Sequence, residues 1–419
     1  MDPSIAAPVA SPRPADPAAS RRAVAVLAVM AFLVVTGETT PVGLIREIAV
    51  GLHTTDDQVG LAIGGYALIA GLSSVPLAHW TARVDRRPVL LTSLLVFAAG
   101  HLAAAAAGHV AVFTAARAVA ALGHGLLFAV AVPTAIRLAD PGAQGKAGAR
   151  VMVGSATALV AGTPLATYLG QLVGWRTALA VIAATALLLA GAATRLLPAV
   201  PGHERLQAGP GLFAVVRRPG LATVLAATLT VSAAHFVAFT FLAPYVAGRL
   251  HVRDTGLAVL LLGYGAAAVA ASSVAGRFVD RRPRAGTAAA VAAFTLALIG
   301  IWLTPTLPQP TLRTAIGVVF VVAWGASFAA LAVLTSLIAL RHGAKAHTET
   351  VNAVSGIAFQ VGVVAGSALG SLTVAAGHLN SLPLLAAGGG VIVSVAVWVG
   401  GHAFEPTAST SPTRGPQPS

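Results

Sequence analysis

Polar positions along this chain are confined to short intervals, and the stretches between them are apolar on every side. The apolar runs cover about 23–46, 58–82, 88–108, 110–138, 150–172, 177–198, 219–247, 256–278, 285–305, 313–340, 349–376 and 380–402. Each has the roughly 20 residues a helix needs to cross the hydrocarbon core of a bilayer. Several contain Gly and Pro, which membrane helices tolerate better than soluble ones. The pattern predicts an all-α membrane protein of twelve transmembrane helices, with the lipid bilayer as its first partner.

Composition supports this. Charged residues make up 9% and hydrophobic residues 57% of the 419, whereas a soluble domain carries roughly a quarter charged residues. The formal net charge of +13 would suggest nucleic-acid binding in a soluble protein. Here the cations sit in the connections between apolar runs, so no nucleic acid is expected. With the N-terminus in the cytoplasm, twenty Lys and Arg fall on the cytoplasmic side and five outside (Arg46, Arg176, Arg249, Arg253, Arg313). This asymmetry puts both termini of a multi-pass membrane protein in the cytoplasm. The Pro/Ala/Ser-rich ends, 1–22 and 403–419, read as disordered cytoplasmic tails. The first apolar run is too long for a cleavable signal peptide.

The pentapeptide Val-Asp-Arg-Arg-Pro occurs at 84–88 and again at 279–283, each time after the second span of a set of six. The chain therefore reads as two halves, 23–198 and 219–402, joined by a cytoplasmic linker at 199–218. Duplicated halves with a substrate site between them, near the midplane, are a transporter architecture.

Only Glu38, of thirteen acidic residues, falls deep within a span; the others lie in tails, loops or span ends. An intramembrane carboxylate is costly unless paired or facing a wet cavity, which makes Glu38 the candidate proton carrier. Arg117 is the one basic residue deep in a span. Glu38 lies eight residues before the outer end of span 1 and Arg117 seven after the outer start of span 4. At ~1.5 Å per residue the two share a depth, so an ion pair broken by protonation is expected. A static pair that fixes helix packing is the alternative. His124, seven residues after Arg117, lies on the same helix face and is a candidate relay or a structural histidine. Thr39, Thr40, Tyr66, His235, Phe239, Tyr264 and Gln360 are candidates to line a substrate cavity, with helix–helix hydrogen bonding the alternative. His79 and His101 near span ends, and Trp80, Trp175, Trp302 and Trp398, fit interfacial positions.

The repeated basic loop resembles the signature loop of the major facilitator superfamily, of the form Gly-x-x-x-Asp-Arg-x-Gly-Arg-Arg. The second copy matches its start through Gly276, Asp280 and Arg281. The first has Thr81 in place of Gly and is shortened before Arg86-Arg87-Pro88. The resemblance implies that Asp85 and Asp280, with Arg86, Arg87 and Arg281, help hold a conformational state; the alternative is a pure topology signal. Gly154, Gly162, Pro164 and Gly170 in span 5 resemble, in loosened form, the Gly/Pro motif of proton-driven antiporters, although helix packing alone accounts for them equally well. Glu38-Thr-Thr-Pro41-Val-Gly43-Leu44, with His235-Phe236 and Phe239-Thr240-Phe241 before Pro244-Tyr245, resembles spans 1 and 7 of the bacterial sugar-efflux and arabinose-efflux-like transporters among the drug:proton antiporters. The resemblance implies a monomeric secondary transporter exporting a sugar or drug in exchange for protons. An importer or uniporter on the same fold and a non-transporting sensor are the other readings. No Walker loop, Gly-x-Ser-x-Gly, cysteine or metal-ligand spacing is present, so no enzyme activity, cofactor or metal is expected.

Overall fold

The computed structural model describes residues 17–140, 142–202, 219–342 and 348–404. Most of both expected tails and most of the linker, 203–218, fall outside the described residues. Among the described residues twelve helices are long and apolar enough to cross a membrane: α1 Ala18–Gly43, α2 Asp56–Trp80, α3 Arg86–Ala106, α4 Val110–Leu138, α5 Gln144–Val173, α6 Trp175–Leu196, α7 Gly220–Phe239, α8 Thr255–Phe278, α9 Pro283–Thr306, α10 Pro310–His342, α11 Val354–Ala375 and α12 Leu379–Val399. There is no strand among the described residues. Unlike the expected tail, residues 17–22 are helical, and Arg22 Nε donates to Ala18 O at 3.2 Å. At the other end Phe404, expected in the C-terminal tail, is fully buried.

Two spans break near the same end. α1 stops at Gly43 and resumes as Ile45–Gly51; α7 stops at Phe239 and resumes as Leu242–Arg249. Pro41 lies inside α1 just before its break. Pro lacks the N–H that would close the i to i−4 bond and its ring crowds that carbonyl, so the helix bends there. α5 widens into a single π-turn at Ala158–Gly162, directly before Pro164, which absorbs the missing donor in the same way.

Glycine sets how closely the spans approach. On α5, Gly154 and Gly162 lie against Ala28 and Thr36 of α1, and Gly170 against Leu44 just past its end, where a Cβ would overlap those neighbours. The contacts step by eight residues on both helices, as two parallel spans in register require. On α11, Gly362, Gly366 and Gly370 meet the main chain at Leu229, Ala233 and Val237 of α7 in steps of four. Burial cannot drive helices together in lipid, so close packing through small residues supplies the attraction.

The halves touch through α2 with α11 and α5 with α8. Gly64 abuts Ser367, Gly71 abuts Gln360, Gly265 abuts Val160, and Gln360 Nε2 donates to Ala67 O at 3.3 Å. α8 packs on the Ala158–Val173 part of α5, and helix Ile45–Gly51 touches Leu242–Arg249. These contacts lie toward the face opposite the basic connections.

The two copies of the repeated pentapeptide fold differently. In the first, Thr81 to Asp85 form the turn, and the Arg86 guanidinium donates to the Thr81 and Ala82 carbonyls. Arg86 N–H bonds Val200 O at 2.8 Å, and Arg137 bonds Pro201 O at 2.8 Å, so the chain leaving α6 is docked on this loop. Asp85 is exposed. In the second, the helix runs through Gly276 to Arg281 and breaks only at Arg282 (φ −148°, ψ 63°) before Pro283. The loop expected around Gly276 is thus helix, because Pro283 alone is enough to end one span and begin the next. The Asp280 side chain lies outside the described residues.

Candidate functional site

The Pro41 bend creates the first half of the site. With no N–H at Pro41, the Gly37 carbonyl has no donor within its helix. Arg117 of α4 supplies one: Nη1 donates to Gly37 O at 2.7 Å and Nη2 to Glu38 O at 2.9 Å. Its guanidinium carbon stands 4.0 Å from the centre of the Tyr66 ring, a cation–π contact, and the residue is 1% exposed. His101 of α3 closes the group. Nδ1 donating to Phe97 O (3.0 Å) leaves Nε2 to accept from Arg117 Nη1 (3.4 Å). Gly37 permits this approach, since a Cβ there would lie 2.6 Å from both His101 and Phe97.

Three expectations are corrected here. Arg117 and Glu38 do share a depth, but the guanidinium holds main-chain carbonyls rather than the Glu38 carboxylate. The planar fork can grip two adjacent acceptors, and a proline-orphaned carbonyl in a membrane interior is a demanding one. His101 is not interfacial but fully buried. Trp175, also expected at the interface, is buried against Phe113 with ring centres 5.9 Å apart.

The Glu38 carboxylate turns toward His124 instead, with Oε2 3.8 Å from Nδ1; the side chains are 23% and 9% exposed respectively. His124 Nδ1 is also 3.0 Å from the Tyr66 hydroxyl, and its ring stacks on Phe128 at 5.0 Å. A carboxylate with partial access, next to an imidazole that a phenol also contacts, is an arrangement able to take up and pass on a proton. Thr39 bonds Thr163 Oγ1 at 2.6 Å, and Thr40 bonds Thr36 O at 2.6 Å. Both expected cavity hydroxyls are therefore engaged in the packing of α1, and Gln360 is engaged between the halves.

The second half holds an aromatic group around His235 of α7. Phe328 of α10 lies over the His235 ring with centres 3.5 Å apart and planes 6° from parallel. Phe239, Trp324 and Tyr264 surround it at 4.8, 5.1 and 6.4 Å. Tyr264 and Trp324 meet edge to face at 5.8 Å. His235 Nδ1, the Tyr264 hydroxyl and Trp324 Nε1 are all buried without a hydrogen-bond partner. Leaving such a group unpaired costs about 1–3 kcal/mol. His235, Phe239 and Tyr264 thus come together as one group. Trp324 and Phe328 were not signalled by the sequence, because an aromatic residue in an apolar run looks the same whether it faces lipid or protein. No group of three His, Cys, Asp or Glu able to hold a metal ion occurs among the described residues.

Twelve spans in two repeats, with ionisable groups held inside the bundle, define a polytopic membrane transporter. A family model described as "Major Facilitator Superfamily" matches residues 27–367. The chain belongs to the major facilitator superfamily. It is 33% identical over 393 residues to proteins of two Mycobacterium tuberculosis strains, each named a chloramphenicol efflux pump; 92% of this chain and 93% of each relative are covered. Among solved structures it resembles a bacterial homologue of the human lysosomal transporter Spinster in an inward-facing, unoccupied conformation (TM-score 0.72, 16% identity, 93% of this chain and 98% of that one). It also resembles a D-xylose–proton symporter (TM-score 0.69, 15% identity, 90% and 97%).

Proposed function

We propose that this protein is a proton-coupled exporter that expels a small drug-like molecule across the bacterial inner membrane, working as a monomer with both termini in the cytoplasm. The observation that carries the reading is Glu38: a carboxylate deep in a span, partly accessible, and 3.8 Å from His124. Export is favoured by the relatives at 33% identity, both named as efflux pumps. A drug is favoured over a sugar because a sugar site needs several convergent hydrogen-bond partners, and Thr39, Thr40 and Gln360 are already engaged.

The halves meet away from the basic face, so substrate enters from the cytoplasm. Arg117 holds the bend at Pro41 and keeps the Glu38 carboxylate directed at His124. Substrate entry is coupled to proton loss from Glu38. After the halves rock to open outward, a proton arriving from outside reloads Glu38 and resets the cycle. Asp85 and Asp280 bias which of the two closed contacts forms.

The test is transport in proteoliposomes with an imposed pH gradient, using chloramphenicol as probe. The reading predicts uphill movement that collapses with a protonophore. Flux indifferent to the gradient sinks proton coupling. A reporter fused after residue 404 should lie on the cytoplasmic side.

A further inference from the structure

We infer that His235, Tyr264 and Trp324, with Phe328 above them, form the subsite for the aromatic ring of the exported molecule, and that it selects neutral aryl compounds bearing a nearby hydrogen-bond acceptor. The inference rests on the export reading and gives it a substrate class.

Three polar atoms on three different spans, α7, α8 and α10, meet in one aromatic group with no partner in the protein. Their side chains are at least nine-tenths buried. Buried polar atoms are nearly always paired, so three together on facing helices mark a place where another molecule supplies the partners. The Trp324 N–H is a donor only, so the ligand must bring an acceptor such as a carbonyl, nitro or hydroxyl oxygen. Phe328 already fills the stacking position on His235, with centres 3.5 Å apart, so a ligand's aryl ring takes that position by displacing it. Phe236, Phe328 and Phe359 are only partly buried and lie along the same edge, with Phe359 6.2 and 6.4 Å from Phe236 and Phe328. They form the rim through which a flat ring can enter.

Charge narrows the class. α7 and α11 contain no charged residue, and those of α8 and α10 (Arg277, Arg313, Arg341) lie near their ends. Within these bounds the four spans supply no carboxylate to pair a cation. Aromatic faces attract cations, but a cation brings no acceptor for the Trp324 N–H. A monosaccharide presents more hydroxyls than three polar atoms can satisfy.

The experiment is equilibrium binding of radiolabelled chloramphenicol, a neutral nitroaryl amide, to the full chain in lipid nanodiscs. D-Xylose and tetraphenylphosphonium serve as competitors. Tyr264→Phe and Trp324→Phe should each weaken binding by about tenfold, the loss of one hydrogen bond to the ligand. Tyr264→Phe should leave the melting temperature unchanged, because it removes only a hydroxyl that has no partner in the protein; a purely structural role predicts the reverse. Neither competitor should displace the probe. Unchanged affinity in both variants, displacement by xylose or by the cation, or no binding of the probe to the unsubstituted protein overturns the subsite. Binding that weakens in the variants, with no uphill transport by the unsubstituted protein, upholds the subsite and sinks the export reading instead.

Discussion

The two halves place side chains of opposite character in matching spans. In the first half Glu38, Tyr66 and His124 come from its first, second and fourth spans; in the second half His235, Tyr264 and Trp324 do the same. Tyr66 is the eleventh residue of α2 and Tyr264 the tenth of α8, and Glu38 and His235 both lie about one turn before a helix break. The first group is ionisable and linked: Arg117 bridges α4 to α1, His101 backs Arg117, and Tyr66 touches both Arg117 and His124. The second has no charge and leaves three polar atoms unpaired. A duplicated scaffold can thus separate its tasks, with a rigid polar network suited to handling a proton and an unsatisfied aromatic one suited to receiving a molecule. Pairing stabilises the first at the expense of openness; the second gives up stability for a site.

Substitutions can break this contrast. The largest effect is expected from Glu38→Gln, which mimics the protonated carboxyl. It should abolish uphill export and remove the pH dependence of flux between about pH 5 and 8, while exchange down a gradient persists. Proteoliposome counterflow with and without a pH gradient separates the two. Wild-type uphill export by this variant would move the proton carrier to His124 or His235.

Arg117→Ala should come next. It strands the Gly37 carbonyl and loosens the Pro41 bend, so stability should fall by about 2–5 kcal/mol, read as a lower melting temperature in detergent or lipid. Arg117→Lys should recover only part of this, because a point charge cannot grip two adjacent carbonyls. Equal melting temperatures for Arg117→Ala and Tyr264→Phe would erase the distinction between a linked half and an unlinked one.

The smallest effect is expected where the halves meet, at Glu47 on the short helix after α1. Burial pushes the Glu47 carboxyl above its usual range, its own backbone hydrogen bond pulls it down, and Asp254 and Asp56 push it up again. Since the folded state holds this proton more tightly than the unfolded chain, stability declines as pH rises through the carboxylate range toward the raised value. Glu47 is partly exposed, so screening keeps the effect within about 0.5 kcal/mol. Glu47→Gln should flatten the difference in melting temperature between pH 5 and pH 8; an unchanged difference would assign it to other groups.

The spans, their number and the deep carboxylate were legible in the sequence because a bilayer imposes its demand residue by residue. A run of 20 apolar side chains must cross, a lone Glu within one must have a reason, and Pro41 must bend its helix whatever surrounds it. What those groups touch is a different matter. Equal depth brought Arg117 and Glu38 to one level, yet the guanidinium settled on carbonyls that only the bend exposes, a competition among acceptors that no spacing reveals. His101, Trp324 and Phe328 lie in runs apolar on all sides, where nothing in the pattern separates a face toward lipid from one toward protein. Helix packing made that choice, through glycines that let α5 close on α1 and α11 on α7. Lipid and protein interior are equally apolar, so sequence fixes which segments enter the membrane, and only the tertiary structure decides which of their side chains meet.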